Sequence, residues 1–151
     1  MIHHVEIRSK INRLFAFICI KKLFNGGADE GISATVRLGT AAAQAAGADG
    51  ALFAVADQPW LTRASVERVI SAFAAHPDTI PALSWQGKKG NPCLFPRELF
   101  PELSALTGDT GGGAVIKAHR DRLRLVEAHS PTELKIQDLL VSYIQNLKFI
   151  I

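Results

Sequence analysis

The stretch "LFAVADQPWLT", Leu52 to Thr62, decides the fold. It runs from an unbroken apolar segment into an aspartate, a proline and a helix-start signal. Ala51–Ala56 is apolar at every position, as in a strand covered on both faces. Thr62 then caps a helix in which Val66, Val69, Ile70 and Phe73 follow the i, i+3, i+4, i+7 stripe. His76-Pro77 ends that helix. A strand feeding a helix through a tight turn is the unit of an α/β domain, whose ligands sit at the carboxyl ends of the strands. Asp57 stands at that place. Aspartate also closes turns on its own backbone, so the rest of the chain has to decide between turn former and metal ligand.

Outward from this unit, strands and helices keep alternating. Leu14–Ile20 reads as a buried strand. "NGGADEG" (Asn25–Gly31) is a glycine-rich loop, and Ser33 is placed to cap a helix running to about Ala46, with Gly47 as its stop. Ile80–Trp85 and Pro92–Phe95 read as strands joined by the polar turn "QGKKGN", and Arg97–Leu106 as a helix restarted at Pro101. "TGDTGGG" is a second glycine-rich loop before a short helix near Ala114–His119. Leu123–Glu127 is a strand, and Ser130, Pro131 and Glu133 form a capping box. A last helix carries Ile136, Leu139, Leu140, Tyr143, Ile144 and Leu147 on one face. The pattern predicts one three-layer α/β/α, Rossmann-like domain over residues 1–151, with a mainly parallel sheet.

Composition narrows the function. The chain has 151 residues, 48% hydrophobic and 21% charged, with a formal net charge of +3. Part of the basic excess lies at Arg8, Lys10, Arg13, Lys21 and Lys22, and no aromatic residues interleave with a basic patch elsewhere, so nucleic acid is not the expected partner. A mildly basic protein suits a small anionic substrate. Cys19 and Cys93 flank no histidine at ligand spacing and suggest neither a zinc site nor a disulfide framework. "LFAFICI" (Leu14–Ile20) is too short for a membrane span, which needs roughly 20 residues. The start lacks the marks of a signal peptide, and the expected location is the cytoplasm.

Two glycine-rich loops and a carboxylate at one sheet edge fit a phosphate ligand. Backbone N–H groups attract phosphate. A carboxylate beside them is useful when a divalent cation neutralises it, and magnesium typically combines one or two carboxylates with substrate phosphates.

Five segments occur together in order: "GISATVRLGTAAA" (Gly31–Ala43), "VADQPWLT" (Val55–Thr62), "GKKGNPCLFPRELFPEL" (Gly87–Leu103), "TGDTGGGAVIKAHRDRLRLVE" (Thr107–Glu127) and "SPTEL" (Ser130–Leu134). Over roughly Asn25 to Leu134 the chain resembles the MobA-like nucleotidyltransferases, and most of all the molybdenum cofactor cytidylyltransferases. The resemblance implies transfer of a nucleoside monophosphate from CTP, or GTP, to a molybdopterin-type acceptor, with Mg²⁺ as cofactor. It makes Asp57 the magnesium ligand and catalytic residue. Gly31, Ser33 and Arg37 fall on the nucleotide side, and Asn91, Pro92, Gly108, Asp109 and Gly111 on the acceptor side. Plainer roles stand beside these: Arg37 as a solvated helix residue, Asn91 as a turn former, Asp109 as a helix cap.

The chain departs from the family pattern at both ends. No glycine-rich triphosphate loop of the type L-A-A-G-x-S-x-R-x-G-x-x-K occurs in "MIHHVEIRSKINRLFAFICIKK", so residues 1–24 read as divergent and the domain as truncated. After "SPTEL" the family's D-I-D-T-P-E-D-L is expected but "KIQDLLVSYIQNLKFII" follows, where Asp138 substitutes only by a shifted alignment, so residues 135–151 also read as divergent. Weak nucleotide binding and slow turnover are expected. Two other readings stay open: a non-catalytic remnant that binds a ligand or associates with itself through a bared sheet edge, and transfer to a sugar or polyol phosphate.

Overall fold

Alternation along the apolar run at residue 51 divides the core in two. In the computed structural model, which describes residues 6–8, 17–19, 31–55, 57–136 and 148–150, this run forms strand β3 (Gly50–Ala54). Two further strands, β1 (Glu6–Arg8) and β2 (Phe17–Cys19), precede it, and helix α1 (Ile32–Ala45) leads into it. Ala51 and Phe53 face a cluster with Val36 and Ala43 of α1. Leu52 and Ala54 face the opposite cluster with Val69 of helix α2 (Arg63–Ala75), against which Val66, Ile70 and Phe73 also pack. Successive strand side chains point to opposite faces, so a strand apolar at every position is sandwiched between helices. The α/β class and the helix–sheet–helix layering hold.

Strands β4 (Ile80–Trp85) and β5 (Lys88–Pro96) follow, then helices α3 (Phe100–Ser104) and α4 (Gly113–Ala118), and strands β6 (Leu123–Glu127) and β7 (Lys148–Ile150). Phe100 and Leu103 of α3 and Val115 and Ile116 of α4 complete the α1-side cluster. The main sheet has the order β6-β4-β5-β3-β7.

The sheet is mixed rather than mainly parallel. β4 and β6 pair in parallel, whereas β5 runs antiparallel to both β3 and β4, and β7 antiparallel to β3. β3, β4 and β6 therefore share one direction, with β5 inserted against them. The reason is the connection after Trp85. The polar turn contracts to Gln86-Gly87, at φ 48° and 77°, and Trp85 pairs directly with Lys88. Two residues of positive φ make a tight hairpin, which can only return the chain antiparallel.

The expected strand Leu14–Ile20 is also corrected. Its described part, β2, pairs antiparallel with β1 in a separate two-stranded sheet, Glu6 opposite Cys19, and takes no place in the main sheet. The two segments are near in sequence, and sequential strands commonly pair. β3 pairs antiparallel with β7, Leu52 opposite Ile150, so β7 and not β3 forms that edge of the main sheet. The expected last helix lies outside the described residues except for Ile136.

The two helices flanking β3 end as their sequences dictate. Thr62 caps α2, its side chain accepting from the Ser65 N–H at 3.2 Å. After α1, Gly47 at φ 68° allows its own N–H to reach Gln44 O and that of Ala48 to reach Ala43 O, a Schellman ending. Because α1 runs down into β3, its N-terminus lies at the carboxyl end of that strand, the end where Asp57 follows.

Candidate functional site

Asp57 follows β3 at the start of a turn in which Gln58 O accepts from the Leu61 N–H at 3.2 Å, with Pro59 at the second position. Proline there presets the backbone dihedral of such a turn. The turn is thus closed without the Asp57 side chain. Asp57 Oδ1 is buried and has no hydrogen-bond partner among the described residues. A buried acceptor left without a donor costs about 1–3 kcal/mol, more when charged. That oxygen fits a cation. Among the described residues no group of three or more His, Cys, Asp or Glu side chains could hold a metal ion.

Behind this turn lies a polar lock. Glu133, only 2% exposed, sits in the 3₁₀ turn Pro131–Leu134. Its Oε2 accepts from Thr62 Oγ1 at 2.7 Å and from the Thr62 N–H at 3.1 Å, and its Oε1 accepts from the His129 N–H at 3.0 Å. Burial alone would raise its pKa. Hydrogen bonds from Ser65, Thr62 and the backbone N–H groups of Thr62 and His129 outweigh burial and hold the carboxyl at about 2, down from 4.5. Gln58, 7% exposed, adds a second tie: its Nε2 donates to Asn91 O and to Glu133 O, each at 3.2 Å. Strand β5, the Asp57 turn and the 130s segment are thereby joined. The capping box is corrected here. Ser130 does cap, accepting from the Thr132 N–H, but Glu133 reaches past Ser130 to His129 and across to α2.

Asn91 lies in β5, joined to Pro92 by a cis peptide, so it is a strand residue and not a turn former. Its carbonyl is the one that Gln58 holds, which brings Asn91 and Pro92 beside the Asp57 turn.

A second group assembles at the α1 N-terminus. Gly31 is the N-cap at φ 89°, and a side chain there would meet Asp109 Oδ1 at 2.5 Å and Gly108 O at 2.7 Å. Ser33 is not the cap that its sequence position suggests. The helix starts two residues earlier than that cap would place it, and Ser33 is fully buried in its first turn, donating its N–H to Gly108 O at 3.1 Å. Arg37 Nη1 donates to Ser33 Oγ at 3.0 Å and to Leu106 O at 2.8 Å, so it is not simply solvated. Gly111 faces Ile32, where an added Cβ would stand 3.3 Å from Ile32 Cγ2. Asp109 does not cap α4, whose N-cap is Gly112 with no side-chain bond. Gly31, Ser33, Arg37, Gly108, Asp109 and Gly111 thus lie around the α1 N-terminus, while Asn91 and Pro92 are tied to the Asp57 turn through Gln58.

Sequence reasoning missed Gln58 as a site residue and Glu133 as a buried anchor. For Gln58 the available signal was its place between a strand-end aspartate and a proline. For Glu133 the sequence offered only a helix-start pattern, which normally lies in solvent.

Residues 9–123 match the family model for the MobA-like NTP transferase domain. That match begins before Asn25 and stops before Leu134, so part of the N-terminal segment read above as divergent falls within it. A curated relative, the purine catabolism protein PucB of Bacillus subtilis (strain 168), is 32% identical over 91 residues, which is 60% of this chain and 43% of the relative. The chain spans less than half the length of that relative. No helix among the described residues is long and apolar enough to cross a membrane. With the family model covering most of its length, the chain belongs to the MobA-like NTP transferase domain family.

Proposed function

We propose that this chain carries out, or forms part of, nucleotidyl transfer from CTP or GTP to a molybdopterin-type acceptor, with Asp57 as the Mg²⁺ ligand. The observation that carries the reading is the buried Asp57 Oδ1 after β3, which has no donor among the described residues. Gly31, Ser33 and Arg37 serve the nucleotide side, and Asn91, Pro92, Gly108, Asp109 and Gly111 the acceptor side.

In the proposed reaction an acceptor phosphate oxygen attacks the α-phosphorus of the nucleotide, the bond to the β-phosphate breaks, and pyrophosphate leaves. Bound magnesium would offset the charge spread over the phosphates in the transition state. The chain's own contribution is placement. The Gln58 and Glu133 ties hold the Asp57 turn against β5, and Arg37 braces the first turn of α1 against the segment that ends in Thr107-Gly108. Such positioning can lower a barrier by roughly 7–11 kcal/mol.

The stretch before Asn25 supplies Lys21 and Lys22 but no glycine. Lysine gives charge without the fixed geometry of a backbone cradle, so weak nucleotide binding and slow turnover are the expected behaviour of this chain. A pyrophosphate-release assay with CTP or GTP, Mg²⁺ and molybdopterin acceptor tests the proposal. Release that Asp57→Asn abolishes supports it. Release unchanged in Asp57→Asn removes Asp57 from the chemistry. Nucleotide binding without release leaves a binding domain rather than a transferase.

A further inference from the structure

Two adjacent residues each bury an acceptor oxygen with no donor among the described residues: Asp57 Oδ1 and Gln58 Oε1. For Gln58 this follows from its surroundings and not from an arbitrary choice of amide orientation. Its nitrogen lies against two carbonyl oxygens, Asn91 O and Glu133 O. Carbonyl oxygens only accept, so the NH₂ end must face them and the oxygen must face away. Both amide hydrogens are then used, and Oε1 is left as a fixed, buried acceptor.

A neutral glutamine that served only to tie β5 to the 130s segment would leave that oxygen unsatisfied at a cost. Buried polar atoms without partners are rare, and two in consecutive residues at a strand's carboxyl end mark a place where something with donor hydrogens belongs. Magnesium gives up its water reluctantly and keeps several molecules when bound by one or two carboxylates. Those waters are donors.

We infer that Gln58 is a positioning residue for the divalent cation, its Oε1 accepting from the hydration shell of an ion whose charge is met by Asp57. The inference rests on the Asp57 reading above and adds to it Gln58, which lies in the family segment "VADQPWLT" but was given no role there. Outer-shell partners of this kind typically alter metal affinity 10–100-fold when removed.

The test uses Mn²⁺ as probe, followed by electron paramagnetic resonance on the full chain without nucleotide. Four proteins are compared: wild type, Asp57→Asn, Gln58→Met, and Val69→Ala. The last loosens buried α2 packing without touching either oxygen. Expected are loss of the bound signal in Asp57→Asn, affinity about tenfold weaker in Gln58→Met, and wild-type affinity in Val69→Ala. Wild-type affinity in Gln58→Met overturns the inference and leaves Asp57 as the ligand. Equal weakening in Val69→Ala and Gln58→Met also overturns it, because general loosening would then explain the loss. Wild-type affinity in Asp57→Asn, or no bound signal in wild type, removes the metal reading and this inference with it. Should Gln58→Met fail to fold, the wild-type Gln58 Cδ resonance provides the readout. It is expected to shift on adding Mg²⁺ and to stay fixed in Asp57→Asn, and a resonance unmoved in wild type contradicts the inference.

Discussion

The two groups at the carboxyl end of β3 differ in how fully their polar atoms are met. At the α1 N-terminus, Ser33 N–H, Ser33 Oγ and Arg37 Nη1 are engaged by other parts of the fold. At the Asp57 turn, a lock of well-paired groups (Glu133, Thr62, His129 and the Gln58 nitrogen) supports two oxygens that nothing described here satisfies. A closed network stiffens a scaffold, whereas a stiff scaffold that ends in unmet acceptors is prepared for a ligand. The comparison separates what holds the site from what acts in it.

The contact at Gly31 is the most sensitive point of the closed group. Gly31→Ala forces a residue at φ 89° and places a Cβ 2.5 Å from Asp109 Oδ1 and 2.7 Å from a backbone carbonyl. Strain and overpacking together are expected to cost about 3 kcal/mol or more in urea denaturation. A loss below about 1 kcal/mol would show that the α1 start and the Gly108 loop are not rigidly joined.

Glu133 comes next. A carboxyl held at about 2 instead of 4.5 contributes stability that is fully present above pH 4.5 and is lost as pH falls from there toward 2. Over that window wild type should lose about 3 kcal/mol from this group. In Glu133→Gln the slope between pH 4.5 and 2 should be visibly flatter, because that position no longer titrates. Identical slopes would mean that the Glu133 lock is not formed in solution.

How much of this was legible beforehand depends on what kind of signal each residue gives. β3, α2, β4 and β6 are written in apolar runs and a 3.6-residue stripe, and Thr62 announces itself as a cap. Strand direction is not written in an apolar run. β5 looks like any buried strand, and only the positive φ at Gln86 and Gly87 makes it antiparallel. Ser33 resembles a cap because serine favours that position, yet glycine at 31 lets the helix begin earlier. Glu133 and Gln58 were illegible for a shared reason. Burial of a polar side chain depends on partners distant in sequence, such as Thr62 for Glu133 and Asn91 for Gln58, and local pattern does not reveal them.

Smaller effects sharpen the same contrast. Arg37→Met removes the ties to Ser33 Oγ and Leu106 O and is expected to cost about 1–2 kcal/mol. It should weaken nucleotide binding less than Asp57→Asn does, because Arg37 acts through the fold. The Arg63–Glu67 pair at 2.8 Å is a surface i,i+4 pair, its side chains 70% and 37% exposed. Glu67→Ala should change stability by no more than about 0.5 kcal/mol. A larger loss there would show that the pair contributes more to α2 than an exposed i,i+4 pair does.

The most direct measurement is calorimetric titration of the chain with CTP and GTP, in Mg²⁺ and in chelator, beside Asp57→Asn. An Asp57-held cation predicts weak binding of one nucleotide in Mg²⁺ that disappears both in chelator and in the variant. Binding of equal strength in Asp57→Asn, with magnesium present, would contradict the account.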